Sequence, residues 1–396
     1  MDVDGLLAKA RHTDARRERP NHPRGWEPGI AWGGVEGTVV SEPTEVRDPE
    51  WDRILQHFQF DPEHFEVVEP IEVRSWEGFI KTDDGKIEKT TLWYHKAKIV
   101  RRFDDAVRAD IDALIREVKG HRPAKRQAPT GEVAMVVNYA DLQIGKEGTA
   151  GTVQRVLGSF DAVVQRAKDL RRAGVPVGPL YMIQNGDGSE NTAGHYAMQT
   201  YSVELSRVEQ LRLVRRLLIK GVKTFAPHFE RIVLAVTPGN HPENRNAAGK
   251  AYTDFHDNDD LEVVVQVGEV LAENPEAYGH VSVVVPDDEL TVTLDVCGTV
   301  VAFAHGHQFP RKKNEFAWEW WDGQSRGMKP AGDASILVSA HRHHFICQQS
   351  GVRTWFQCPT NDSGSKWYEM TTGEATMPGT LTFTVGPDGW DNLRIL

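Results

Sequence analysis

Five short stretches of the chain carry residues able to bind a cation or move a proton. They are Asp141 and Gln143 in "ADLQIGK", Asp187 and Glu190 in "NGDGSEN", Asn240 and His241 in "PGNHPE", His305 and His307 in "AHGHQF", and His341 and His343 in "SAHRHHF". Each has a plain structural explanation when taken alone. Pro-Gly-Asn is turn chemistry, and Asn tolerates left-handed backbone, so Asn240 could simply end a strand. Asp141 and Asp187 could close Asx turns or cap helices. His305 could be a hydrogen-bonded core histidine, and residues 341–344 a solvated run. Their joint occurrence, each after an apolar run, argues for one shared site. The chemistry such a set suits is two-metal phosphoester hydrolysis: a carboxylate bridging two divalent ions, with mixed oxygen and nitrogen donors on either side. Imidazole with carboxylate and carboxamide oxygen suits Mn²⁺, Fe or Zn²⁺ better than a pure Mg²⁺ site. Such ions bind phosphate oxygens and lower the pKa of a bridging water, while an unligated histidine serves as general acid.

The elements that would position these residues alternate from residue 131 onward. "VAMVVNYADLQIG", "GPLYMIQNGDGSEN" and "ERIVLAVTPGNH" read as buried strands running into polar loops. "TVQRVLGSFDAVVQRAKDLRRAG" and "MQTYSVELSRVEQLRLVRRLLIKGVKTFA" read as the helices between them. Apolar strands tipped by polar loops are the pattern of an α/β sheet, where sites gather at strand ends. Upstream, residues 1–44 show no sustained periodicity and read as an extended arm. Residues 45–130 read as a small α+β accessory module closed by the basic, Pro-containing linker "HRPAKRQAPTGE".

The five loops resemble the motif set of the calcineurin-like metallophosphoesterases: D-x-H, G-D-x-x-D/E, G-N-H, a lone His, and G-H-x-H, in that order. The texture, including "DLQIGK", is similar to phosphoesterases of bacteriophages. The resemblance implies a four-layer αββα sandwich over residues 131–396. By position it implies one metal on Asp141, Asp187 and His343, with Gln143 as a further, weaker candidate ligand, and a second on Asp187, Asn240, His305 and His341, with Asp187 as the bridge. His241 would be the general acid and Glu190 its orienting carboxylate. Three departures stand out: Gln143 where the family has His, Pro242 where an acid often follows G-N-H, and Ala340 in place of the Gly of G-H-x-H. A carboxamide oxygen is neutral and a weaker donor than imidazole, so the first metal would be the looser one.

For the substrate, Asn191 follows the second motif where serine/threonine phosphatases typically carry Arg, which points away from protein phosphatases. Arg311, Lys312 and Lys313 precede Phe316, Trp318, Trp320 and Trp321 on the connection leaving the fourth motif. Cations on a backbone with aromatics stacking bases would bind a single strand. Packing of the aromatics against the sheet is the alternative, since Phe316 and Trp320 are four apart. The chain is therefore expected to be a phosphodiester hydrolase of nuclease type on DNA or RNA. A phosphomonoesterase or cyclic-nucleotide phosphodiesterase, and a non-catalytic scaffold with a degenerate metal site, are the alternatives, and residues 1–130 could take a protein partner. With 396 residues, 39% hydrophobic and 26% charged, the composition is that of an ordinary globular chain. A net charge of −11 speaks against non-specific coating of nucleic acid. No apolar run reaches the ~18 residues of a membrane span, no export signal is visible, and three scattered cysteines fit a reducing cytoplasm.

Overall fold

The computed structural model describes residues 25–396 apart from 33–35, 59, 61, 63–64, 82–86, 102–104, 123–128, 197–198, 200–201, 246–249, 252–255, 287–289, 311–315, 365–369 and 371–376. Two units divide the chain, Met1–Ala106 and Val107–Leu396.

In the first unit, β1 (Gly29–Trp32), β2 (Glu36–Val40), β3 (Phe65–Lys81) and β4 (Ile87–Arg101) form an antiparallel sheet in the order β1-β2-β4-β3. Pro70 interrupts β3 where the pairing with β4 shifts register between Val68 and Ile71, the place in a sheet that tolerates a missing N–H. Helix α1 (Trp51–His57) packs Leu55 with Val39, Ala97 and Ile99. The expected arm therefore ends early: within 1–44, residues 29–32 and 36–40 are sheet strands, because Val39 and Val40 have an apolar face to bury. Residues 1–24 lie outside the described residues.

The second unit, after the two residues that begin its first helix, runs α2 (Asp105–Gly120), β5 (Val133–Tyr139), α3 (Thr149–Arg172), β6 (Val177–Asn185), α4 (Arg207–Phe225), β7 (Ile232–Thr237) and α5 (Asp259–Ala272). Then come α6 (Pro275–Tyr278), β8 (Val281–Val284), β9 (Thr291–Val296), β10 (Thr299–Ala304), α7 (Phe316–Arg326) and β11 (Ile336–Ser339). β12 (Ile346–Ser350), β13 (Arg353–Gln357), β14 (Leu381–Gly386) and β15 (Gly389–Ile395) complete it. One sheet has the order β15-β14-β5-β6-β7-β8 and the other β12-β13-β11-β10-β9. β5 to β8 are mutually parallel, as are β10, β11 and β13.

Period-two alternation sorts the side chains into layers. Val136, Tyr181, Ile183, Val233 and Phe383 face Val301, Phe303, Val338 and Phe356 in the core between the sheets. From the other face of the first sheet, Met135, Val137, Tyr139 and Met182 pack under α3, α4 and α5 through Phe160, Val163, Leu218, Val222 and Val264. Phe316, Ala317 and Trp321 of α7 cover Ala302, Leu337 and Trp355 on the outer face of the second sheet. The unit is a four-layer αββα sandwich.

Two expected boundaries move, each for a local reason. Helix α4 begins at Arg207 rather than near residue 198, because Ser206 and Glu209 form a reciprocal capping box. The accessory module ends at Ala106, not 130, since Leu114 and Val118 of α2 join the core of the second unit. Asn274 donates to the end carbonyls Val118 O (2.8 Å) and His121 O (2.9 Å), terminating α2 there. Asp110 anchors the other part of α2 by accepting from Arg215 (2.8 Å) and Arg216 of α4. Burial pushes the Asp110 carboxyl up, but the hydrogen bonds from Arg216 and Arg215 outweigh it and hold the pKa below the usual carboxylate value.

Asp110→Ala should therefore destabilise the second unit by roughly 3 kcal/mol, because it leaves the buried Arg215 short of its counter-charge. A group with a depressed folded pKa contributes stability above its unfolded pKa and loses it as pH falls through the folded one. Urea unfolding of parent and variant should accordingly differ at neutral pH and converge in acid below the carboxylate range. An equal gap at both pH values would show that the loss is one of packing alone.

Candidate metal centre

The five loops leave the C-terminal ends of β5, β6 and β7 in one sheet and β10 and β11 in the other, so one rim of the sandwich collects them. Their backbone is unusual. Asp141, Gln143, Asp187, His341 and His343 all have positive φ, from 42° to 70°, a region that costs non-glycine residues energy. Hydrogen bonds enforce it: Asp141 N donates to Gly186 O (3.2 Å) and Gln143 N to Asp187 O (2.8 Å). Glycines permit the close approach. A Cβ on Gly239 would lie 2.2 Å from Asp187 N and Oδ1, and one on Gly186 would lie 2.3 Å from His305 Nδ1. Asp260, at the start of α5, accepts from the amides of Gly188 and Gly239 (both 3.0 Å) and from Gln184 (2.9 Å). Burial, followed by the charge of Asp187, lifts its pKa to about 7.

Asp187 is 1% exposed and Asp141 fully buried. Asp187 Oδ1 accepts from His241 N (2.8 Å), and Asp141 Oδ2 accepts from His341 N (3.0 Å). The remaining oxygens, Asp187 Oδ2 and Asp141 Oδ1, have no hydrogen-bond donor assigned, although imidazoles lie near both. His305 Nδ1 sits 3.0 Å from Asn185 O, which can only accept, so this nitrogen carries the proton. In the neutral ring Nε2 then presents a lone pair to Asp187 Oδ2 and Asn240 Oδ1, both at 3.1 Å. Three acceptors converging in a buried place need a shared cation or a second ring proton. The second alternative is written in the raised His305 pKa, about 9, which the charge of Asp187 produces against burial.

A divalent ion fits the same atoms. Asp187, His305 and His341 offer ligand atoms within 4.8 Å of one another, and Asn240 Oδ1 adjoins them. Burial, reinforced by His305, pushes His341 down to about 4 and leaves it a neutral donor. Asn240 is oriented by a residue the sequence gave no reason to select: its Nδ2 donates to His195 Nε2 (2.8 Å), turning Oδ1 inward. His195 is neutral, its pKa pushed down to about 3 by burial and then by His241.

On the other side, His343 Nε2 lies 3.3 Å from Asp141 Oδ1. Gln143 is drawn elsewhere: its Oε1 accepts from Lys146 Nζ (2.9 Å), and its Nε2 is 3.4 Å from His241 Nε2. His241 Nδ1 faces Glu190 Oε2 at 3.1 Å, and Tyr196 donates to the other Glu190 oxygen (2.7 Å). Burial lowers the His241 pKa, but Asp187 and Glu190 outweigh it and raise it to about 9, so the ring keeps its proton at neutral pH. Glu243 pairs with Arg245 and does not take the place of the missing acid after G-N-H.

The expected strand-binding segment divides. Arg311, Lys312 and Lys313 lie outside the described residues. Phe316 and Trp321 are core. Trp318 is half-buried, stacked on Trp321 with its Nε1 donating to Gln348 (3.0 Å), so packing of the outer layer accounts for these aromatics and base stacking by Trp318 is not what this geometry presents.

No family model and no curated protein matches the chain. Among solved structures it is similar to a conserved predicted phosphoesterase from Streptococcus pneumoniae TIGR4, with 11% identity over 66% of this chain and 98% of that one, and a TM-score of 0.29. It is similar to Vacuolar Protein Sorting 29 from Cryptosporidium parvum, with 13% identity over 67% and 97% of the two chains and a TM-score of 0.30. A novel archaeal phosphodiesterase gives 8% identity over 66% and 99%, with a TM-score of 0.29. The layer order and the rim geometry stand independently of these alignments.

His195→Phe should weaken Mn²⁺ binding by ~10-fold or more, the usual cost of losing a partner that orients a ligand. His195→Gln keeps an acceptor for Asn240 and should recover most of the affinity. Equal Mn²⁺ affinities for parent and His195→Phe in a calorimetric titration would remove His195 from this role.

Proposed function

We propose that the chain is a metal-dependent phosphodiester hydrolase acting on nucleic acid or nucleotides, with nuclease activity as its main form. The observation that carries the hydrolase reading is the Glu190–His241 pair. A buried carboxylate, Glu190, holds the His241 imidazole 3.9 Å from Asp187, the carboxylate that a metal would use. A divalent ion bound there would supply Lewis acidity toward the phosphoryl oxygens and an acidified water. The chain's own residues supply the rest. Asp187, Asn240, His305 and His341 hold the cation, Glu190 and Tyr196 fix the ring of His241, and His241 delivers its proton to the leaving alkoxide. Such a donor suits a poor leaving group such as a nucleoside hydroxyl. Preference for nucleic acid is supported by the cationic run Arg311–Lys313 on the connection that follows His305.

The test is turnover with Mn²⁺ on single- and double-stranded DNA and RNA, beside a chromogenic phosphodiester and a phosphomonoester. Cleavage of the monoester alone would move the reading to a phosphatase, and no turnover on any of them would favour a scaffold.

His241→Ala should lower the rate on oligonucleotides by ~10²–10⁴, the usual worth of a general acid, and leave Mn²⁺ binding intact. The loss should shrink on a nitrophenyl ester, whose leaving group needs little protonation. The parent's rate on oligonucleotides should fall at alkaline pH as His241 loses its proton, and the variant should lack that limb. Equal losses on both substrates would argue against the acid role. Asp187→Asn, by contrast, should abolish both metal binding and turnover. Retention of bound metal with activity within ~10-fold of the parent would show that Asp187 is not a metal ligand.

A further inference from the structure

We propose that the Lys146 ammonium occupies the place of one of the two expected cations, and that the chain binds a single divalent ion on Asp187, Asn240, His305 and His341. The inference rests on reading this rim as a metal centre and concerns how many ions it holds.

The two halves of the rim are not equivalent. Around His305 the ligand atoms of Asp187, Asn240, His305 and His341 converge. Beside the loop of Asp141 the chain supplies a cation of its own, the Lys146 ammonium, held by Gln143 and Asp362. Gln143 stands where an imidazole ligand would be expected, and its only acceptor atom receives a hydrogen bond from Lys146 Nζ at 2.9 Å. The same ammonium pairs with Asp362, and the two side chains are 16% and 2% exposed, so this is no surface ion pair. A buried pair of this kind persists only where further hydrogen bonds serve it. Here they do: Asp362 Oδ1 accepts from Gly364 N (2.7 Å), and Asp362 N donates to Thr360 Oγ1 (2.9 Å). Thr360 Oγ1 in turn donates to Asp141 O (2.8 Å), and Asn361 N donates to Ala140 O (3.2 Å). The segment carrying Asp362 is thereby tied to the loop carrying Asp141.

Charge and ligand supply agree. At the Asp141 end of the rim the Lys146 ammonium already balances the buried Asp362 carboxylate. A second divalent ion beside Lys146 would meet like charge in a site of low dielectric. It would also find fewer donors: Gln143 and Asp362 are committed to Lys146, which leaves Asp141 and His343.

The full-length protein, stripped of metal and dialysed against excess Mn²⁺, should retain one Mn²⁺ per chain by elemental analysis. Its electron paramagnetic resonance spectrum should be that of an isolated ion. Gln143→His combined with Lys146→Met should admit a second Mn²⁺ and give an exchange-coupled spectrum. Two Mn²⁺ per parent chain, or a coupled parent spectrum, overturns the proposal. So does a double variant that is folded by circular dichroism yet still holds one ion, because Lys146 is then not what sets the count. If the double variant does not fold, the parent's count and spectrum decide. A parent holding one Mn²⁺ that cleaves no phosphoester supports this inference while removing the hydrolase reading. A parent that binds none overturns the metal centre itself, and this inference with it.

Discussion

Two carboxylates with almost no access to water, Asp141 and Asp187, meet at one rim of the sandwich, and the surrounding structure is arranged to compensate their charge. Burial alone would drive Asp187 toward its neutral form. For Asp187 the positive partners His305 and His241 overcome that burial and hold its pKa well below the usual carboxylate value. Backbone amides take one oxygen of each carboxylate, from His341 and from His241. The other oxygens are left to imidazoles and, on this reading, to a metal ion. The left-handed backbone at five of the ligand-capable positions is the conformational cost of pointing those side chains at a common place.

The residues at the five strand ends were legible because each combines an apolar run with turn-forming letters and a polar group whose chemistry is specific. The layers were legible for a similar reason, since alternation within a strand and the spacing within a helix are both local. What was not legible depends on partners distant in the chain. Lys146 looks like any loop lysine until Asp362 comes beside it, 216 residues on. His195 sits in "NTAGHYAM" with no motif around it, and its hydrogen bond with Asn240 and its ring contact with His241 mark its place. Gln143 read as a weak ligand. Its amide oxygen is instead taken by Lys146, which no spacing rule would show.

The aromatic segment after the fourth motif shows how composition can suggest two opposite roles. A stretch rich in Trp beside cations can stack bases or cover a sheet, and the residues are the same for both. The architecture decides between them. A sandwich of two sheets has two outer faces, and α3, α4 and α5 cover only one. Ala302, Leu337 and Trp355 on the other face need a cover, and Phe316 and Trp321 of α7 supply it. Helix α2 follows the same logic: Leu114 and Val118 needed an apolar layer, and that of the second unit received them.

The rim is also braced from outside the ligand set. Catalytic loops usually leave their amides to water, which lets them move. Here two of the five loops end on a single buried carboxylate, Asp260, whose oxygens take Gly188 N, Gly239 N and the Gln184 amide. Burial, and then the charge of Asp187 close by, raise its pKa to about 7. The arrangement is electrostatically unfavourable and geometrically useful. It fixes the separation between the loop of Asp187 and the loop of Asn240 and His241. A site whose donor spacing is set by scaffold hydrogen bonds is organised ahead of its ion or substrate, and less binding energy is then spent on ordering loops. Asn258 completes the brace from the same helix terminus: its side chain donates to Gly239 O (2.8 Å) and accepts from Asp260 N (3.0 Å). The start of α5 thus acts as the fixed post against which the loops after β6 and β7 are aligned.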